Sequence, residues 1–250
     1  SVPWKNPEEL YNIIDSMQVG EAPWRTYIFV YSGPKLPIPP RWMEEPYELN
    51  TRGVLTVLEQ QLDTQFEYTP YQEFDGRGDR LYSNPMSGHW PWREAVSRLL
   101  RTEFRCMLVP VVSGSDKTTV SVATGHQEYH PAYVSPGNIS NTARRGHRNS
   151  VVPVAFLPIP KAGKRQRKKP DFQKFCRQLY HKCLECVFSP FKLYMETPKV
   201  VKGPDGHYRR AIFSLGPYIA DYPEQVWLAG IVSNWCPKYI FRSTYLYAFS

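Results

Sequence analysis

The 250-residue chain lacks any run approaching 18 consecutive apolar residues, and its first residues carry no charged-then-apolar leader. Both absences speak against a membrane span or a secretory signal, so the sequence reads as a soluble, non-secreted chain with no membrane partner. Cysteine is scarce, with five residues in no regular framework, which argues against a disulfide scaffold and for a reducing compartment. No GxSxG elbow, P-loop or GxGxxG occurs. Serine-hydrolase and nucleotide-cofactor chemistry therefore have no anchor. Acid is short relative to base, 23 against 31, leaving a net charge of +8 that favours a polyanionic partner.

Proline is plentiful instead: 24 residues, about twice the usual ~5%, imply short elements joined by many loops. Residues 7–17 carry Leu10, Ile13, Ile14 and Met17 at helical spacing, opened by Asn6 and Pro7. Residues 32–46 are too proline-rich for regular structure. Trp24 beside Arg25 and Arg41 beside Trp42 fit base stacking, or tryptophans buried under a loop with an arginine stem above them. Residues 51–62 form a helix with Val54, Leu55, Leu58 and Leu62 on one stripe, residues 66–91 a loop, and 91–102 a helix. Arg77, Gly78 and Asp79 make a turn and no adhesion motif.

The chain is organised around residues 109–133. An apolar run from Met107 to Val112 leads to Asp116, and residues 118–124 then alternate as a second strand. Asp116 is either a carboxylate presented at a sheet rim, suited to metal or acid–base work, or ordinary turn chemistry. Residues 130–135 and 151–159 add two strands, the first members antiparallel; Pro153 speaks against a central place for the last. His126 and His130 stand four apart, but between strands rather than on a helix, which does not match a metal pair. Arg144 and Arg145 lie in a short helix or loop. Lys161, Lys164, Arg165, Arg167, Lys168 and Lys169 form a phosphate-contacting loop, a nuclear localisation signal or a solvated face.

Residues 171–188 are an amphipathic helix whose Cys183 and Cys186 read as core residues rather than zinc ligands. Residues 207–219 form a strand broken near Gly216 and Pro217. It ends on Asp221, and residues 222–225 open a helix that runs from 226 to about 235. Asp221 with Glu224 three residues on resembles a capping box, a role compatible with one oxygen facing a metal.

The strings at 114–147, 151–161, 172–184 and 204–238 strongly resemble fungal transposases of the Plavaka type, in the Kyakuja-Dileera-Zisupton group allied to CACTA-like elements. The opening VPWKNPEELYNIID and PPRWMEEPYELNTR resemble that family's upstream region, so the likeness covers nearly all of residues 2–238. The resemblance implies a ribonuclease H-like α/β fold with a mixed sheet and flanking helices, incomplete at the C-terminus. It also implies a DDE nuclease and strand transferase acting on DNA with Mg2+ or Mn2+. Asp116 and Asp221 would be its first two metal carboxylates, with Lys161, Lys164, Arg165, Arg167, Lys168, Lys169, Arg144 and Arg145 as DNA contacts.

Two departures shape the remaining expectations. The family continues WCPKC where Cys236 is here followed by Pro237, Lys238 and Tyr239, so zinc is not expected. The last residues resemble nothing in the family, and the third acid has no counterpart. The expected organisation is a helical, loop-rich region at 1–104, a partial transposase core at 105–238 and an unrelated tail at 239–250. A truncated, inactive transposase remnant in the nucleus, alone, self-associated or with full-length enzyme, is the expected function. The alternative is a DNA-binding protein without chemistry. Truncation is expected to expose apolar surface over 226–232.

Overall fold

The computed structural model describes residues 6, 8–9, 22–62, 66–101, 106–121, 127–146 and 149–231, without the side chains of 98–101. Asn6 Oδ1 accepts the Glu9 amide at 2.8 Å, as a helix start requires; most of the first expected helix lies outside the described residues. In chain order follow β1 (Arg25–Phe29), β2 (Tyr47–Thr51), α1 (Val54–Gln61), the small pair β3 (Glu73–Phe74) and β4 (Arg80–Leu81), and α2 (His89–Arg101). Then come β5 (Met107–Ser115), β6 (Thr118–Ser121), β7 (Gln127–Tyr129), β8 (Pro131–Pro136), α3 (Asn141–Arg145) and β9 (Val152–Phe156). The described chain closes with α4 (Lys164–Arg167), α5 (Pro170–Phe188), α6 (Lys192–Glu196), β10 (Lys199–Lys202), β11 (Tyr208–Ile219) and α7 (Tyr222–Ala229).

Seven strands make one mixed sheet in the order β1-β2-β9-β8-β5-β11-β10; β5 and β11 are parallel and every other neighbour pair is antiparallel. β5 is central and covered on both sides, which is why it reads as an unbroken apolar run instead of alternating. On one side α5 sends Phe172, Phe175, Leu179, Cys183 and Val187 into a core shared with Val109, Val111 and Phe213. On the other, α2 meets β11, where Glu94 accepts the Ser214 hydroxyl at 2.9 Å. Burying one such apolar side chain stabilises the fold by about 1.5–3 kcal/mol.

Several elements depart from the sequence expectation. β1 and β2 were not foreseen, yet they join the sheet; Tyr47, Leu49 and Thr51 alternate inward with Glu48 and Asn50 outward. Thr51 thus belongs to a strand, and α1 begins at Val54. Pro153 does not hold β9 at an edge: β9 lies between β2 and β8. The missing amide is harmless because β2 pairs only with Ala155 and Phe156, and Pro153 faces Tyr133 where the β8 register shifts. Its carbonyl accepts Arg52 Nε at 2.9 Å. α7 is shorter than expected, since Gly230 takes the left-handed conformation (φ +64) and ends it. Val226 is buried and Trp227, Leu228, Ala229 and Ile231 are half-buried, so the apolar surface expected there is largely covered among the described residues. Trp42 is buried against Phe175, while Trp24 is exposed and carries Arg52, not Arg25, over its ring at 5.0 Å.

Candidate active site

Asp116 stands where a long hairpin leaves the sheet. β6 and β7 continue the register of β5 and β8, with Thr118 opposite Tyr129 as Ser115 is opposite Ala132, and the Asp116 amide donates to Pro131 O between them. Beyond that point Thr118, Thr119 and Val120 of the arm are exposed. Asp221 lies two residues beyond the end of β11, at the N-cap position of α7.

The parallel pairing sets these two aspartates just past the ends of neighbouring strands. β5 and β11 pair at their ends as Gly114 with Ile219, an offset of 105 residues (219 − 114), and the aspartates are separated by the same 105 (221 − 116). Each therefore sits two residues past the last paired position of neighbouring strands, which run about 4.8 Å apart. Both are exposed. Asp116 Oδ2 accepts the Thr118 hydroxyl at 3.2 Å, and the Asp221 side chain makes no capping hydrogen bond. The capping-box reading of Asp221 and Glu224 is thus not what the fold adopts.

Glu224 turns inward instead, and this the sequence did not disclose. The residue is 7% exposed, and its carboxylate contacts His130 Nε2 through Oε1 and accepts the Ser115 hydroxyl on Oε2. Tyr218 donates to Ser115 Oγ at 2.7 Å, Tyr180 donates to Tyr218 at 3.3 Å, and the His130 ring stacks on Tyr180 with centroids 6.1 Å apart. Burial raises the Glu224 carboxyl, but its bonds to His130 and Ser115 outweigh this and hold it below its ordinary value. Burial pushes the Tyr180 and Tyr218 hydroxyls up, so both stay protonated donors. No spacing rule links residue 130 to residue 224; only the fold does.

The basic residues fall into two groups. β5, β9 and β11 run in the same direction, so the segment leaving β9, which carries Lys161, Lys164, Arg165, Arg167, Lys168 and Lys169, starts on the rim that bears Asp116 and Asp221. All six are exposed; Arg167 Nε donates to Ala162 O at 2.7 Å within that segment. Arg145 is exposed, whereas Arg144 is half-buried and its guanidinium donates to the carbonyls of Pro136 and Ile139 at 2.9 and 3.2 Å. Burial lowers the pKa of Arg144, as expected of a cation used to tie a loop.

Cys183 is fully buried and Cys186 partly so, both as free thiols in the α5 packing. Among the described residues no group of three His, Cys, Asp or Glu side chains is placed to hold a metal ion, and no helix is long and apolar enough to cross a membrane. His126, Cys236 and Tyr239 lie outside the described residues.

A family model described as Plavaka transposase matches residues 4–247. No curated protein and no solved structure matches the chain.

Proposed function

Because the chain belongs to the Plavaka transposase family, we propose that it handles element-end DNA through a ribonuclease H-like core of the DDE class, with Asp116 and Asp221 as the first two carboxylates of that site. The observation that carries this reading is the parallel pairing of β5 and β11, whose register matches the spacing of the two aspartates. The sheet order supports it as well: three antiparallel strands, β5, β8 and β9, are followed across helix α5 by β11, which lies parallel to the first.

Two exposed carboxylates on neighbouring strand ends suit hard cations, so Asp116 and Asp221 would hold Mg2+ or Mn2+. When bound, such ions supply charge stabilisation for attacking and leaving oxygens of a phosphodiester. The exposed lysines and arginines of 161–169 would hold the phosphates that flank the cleaved bond, and Arg145 would add a contact. The same basic run would serve as a nuclear localisation signal, placing the chain in the nucleus.

Among the described residues no third acid is grouped with the pair, and Glu224, the nearest acid in sequence to Asp221, is engaged by His130 and Ser115. The second reading is a chain that binds DNA with little or no strand cleavage and acts alone, as an oligomer, or together with another transposase chain.

Calorimetry with Mn2+ on the wild-type chain, Asp116→Asn and Asp221→Asn tests the site. Weak binding lost in both variants is the expected result, and binding equal in all three would overturn it. A duplex-nicking assay on the same proteins decides between the readings: metal-dependent nicking abolished by Asp116→Asn makes the chain an enzyme in its own right.

A further inference from the structure

Three residues joined through Glu224 flank the two aspartates in the backbone. Ser115 immediately precedes Asp116; His130 immediately precedes Pro131, whose carbonyl accepts the Asp116 amide; Glu224 lies in the first turn of the helix that Asp221 opens. The Glu224 carboxylate joins all three elements, taking Ser115 on one oxygen and His130 on the other.

From this arrangement we infer that Glu224 is a positioning residue, which fixes the spacing of Asp116 and Asp221 without touching what they hold. The inference rests on the reading of those aspartates as a metal pair. Sheet pairing holds β5 to β11 only as far as Gly114 and Ile219, so beyond them the two aspartates have no ladder between their strands. Among the described residues Gln225, the neighbouring polar residue of the turn, bonds locally, to Ala220 O. Glu224 reaches from that turn across to β5 and to the β7–β8 junction.

The direction of the hydrogen bonds makes the carboxylate the end of a line. Tyr180 donates to Tyr218, Tyr218 to Ser115, and Ser115 to Glu224. Each hydroxyl passes its proton onward as a donor, so the line needs a terminal acceptor at position 224. Both Glu224 oxygens thereby face partners within the protein. A buried line of this kind holds its members more rigidly than isolated bonds would.

The test compares the full chain with Glu224→Gln and Ser115→Ala by two readouts. Calorimetry with Mn2+ measures affinity, and amide hydrogen exchange on the metal-free protein follows segments 113–117 and 219–225. The expected result is Mn2+ affinity lower by about 10-fold to 100-fold in both variants, with faster exchange in both segments together and unchanged exchange in β2 and β9. Unchanged affinity with exchange altered only in 219–225 overturns the inference, because Glu224 would then be a local anchor of α7. Binding abolished by Glu224→Gln yet unaffected by Ser115→Ala also overturns it, since Glu224 would be a direct ligand. If the wild-type chain binds no Mn2+, the metal-pair reading fails by itself, and exchange alone decides: a joint rise in both segments upholds the coupling, and independence of the two refutes it. Ser115→Ala, which removes one hydroxyl, carries the comparison if Glu224→Gln does not fold.

Discussion

Gly114 and Ile219 meet so closely across the parallel pair that a Cβ on Gly114 would lie 2.4 Å from the Ile219 carbonyl oxygen. The obstacle is backbone, which has no flexible end to swing aside. Gly114→Ala must therefore push the end of β11 away from β5, and with it Asp221 away from Asp116. We expect a loss of about 1–3 kcal/mol, as for overpacked interiors, read as a lower urea midpoint, together with weaker Mn2+ binding. Mn2+ binding as tight as wild type would mean the spacing of the strand ends is immaterial to the site.

Arg144 and Arg145 are neighbours with different work. Arg144 ties the carbonyls of Pro136 and Ile139, so Arg144→Ala should cost roughly 2 kcal/mol of stability, the scale of hydrogen bonds made by a charged group. Arg145→Ala should cost little stability and weaken DNA binding instead. Equal stability of the two variants in urea unfolding would contradict this division.

The exposed cations of 161–169 should contribute to DNA affinity through counterion release. Replacing Lys164, Arg165, Arg167, Lys168 and Lys169 by Gln is expected to flatten the slope of log K against log salt, by about 0.9 for each phosphate no longer neutralised. Folding should be untouched, because these side chains are exposed. A slope identical to wild type would return the segment to a solvated face.

How much of this was legible in the sequence depends on how local each feature is. Asp116 and Asp221 could be read because each ends an apolar run, and the helix at α5 because Phe172, Phe175, Leu179, Cys183 and Val187 recur at its period. Their meeting could not be read, since the register of β5 with β11 depends on an irregularity between Leu215 and Tyr218 that shifts the pairing by one residue. β1 escaped because four of its five residues are exposed, leaving no inward face to read. Pro153 misled because a missing amide matters only where a neighbour needs it, and β2 pairs elsewhere. Glu224 misled most: a capping box and a buried acceptor look alike in sequence, and only the placement of His130 and Ser115 separates them.

Acid titration gives an independent check on that buried carboxylate. Glu224 is held below the ordinary value of 4.5 when folded, so its ionised form stabilises the native state. That contribution is complete above pH 4.5, the value it regains on unfolding, and is lost as pH falls through the depressed folded value. Glu224→Gln cannot ionise and has no such term. The stability difference between wild type and Glu224→Gln, measured by urea unfolding below about pH 6, should be largest above pH 4.5 and shrink as the solution is made more acid. Subtracting one protein from the other removes the titration of the carboxylates they share, provided their unfolded states are alike. A difference that stays constant across the acid range would mean that Glu224 is not the ionised end of the Tyr180–Tyr218–Ser115 line, and that its contacts with Ser115 and His130 are those of a neutral acid.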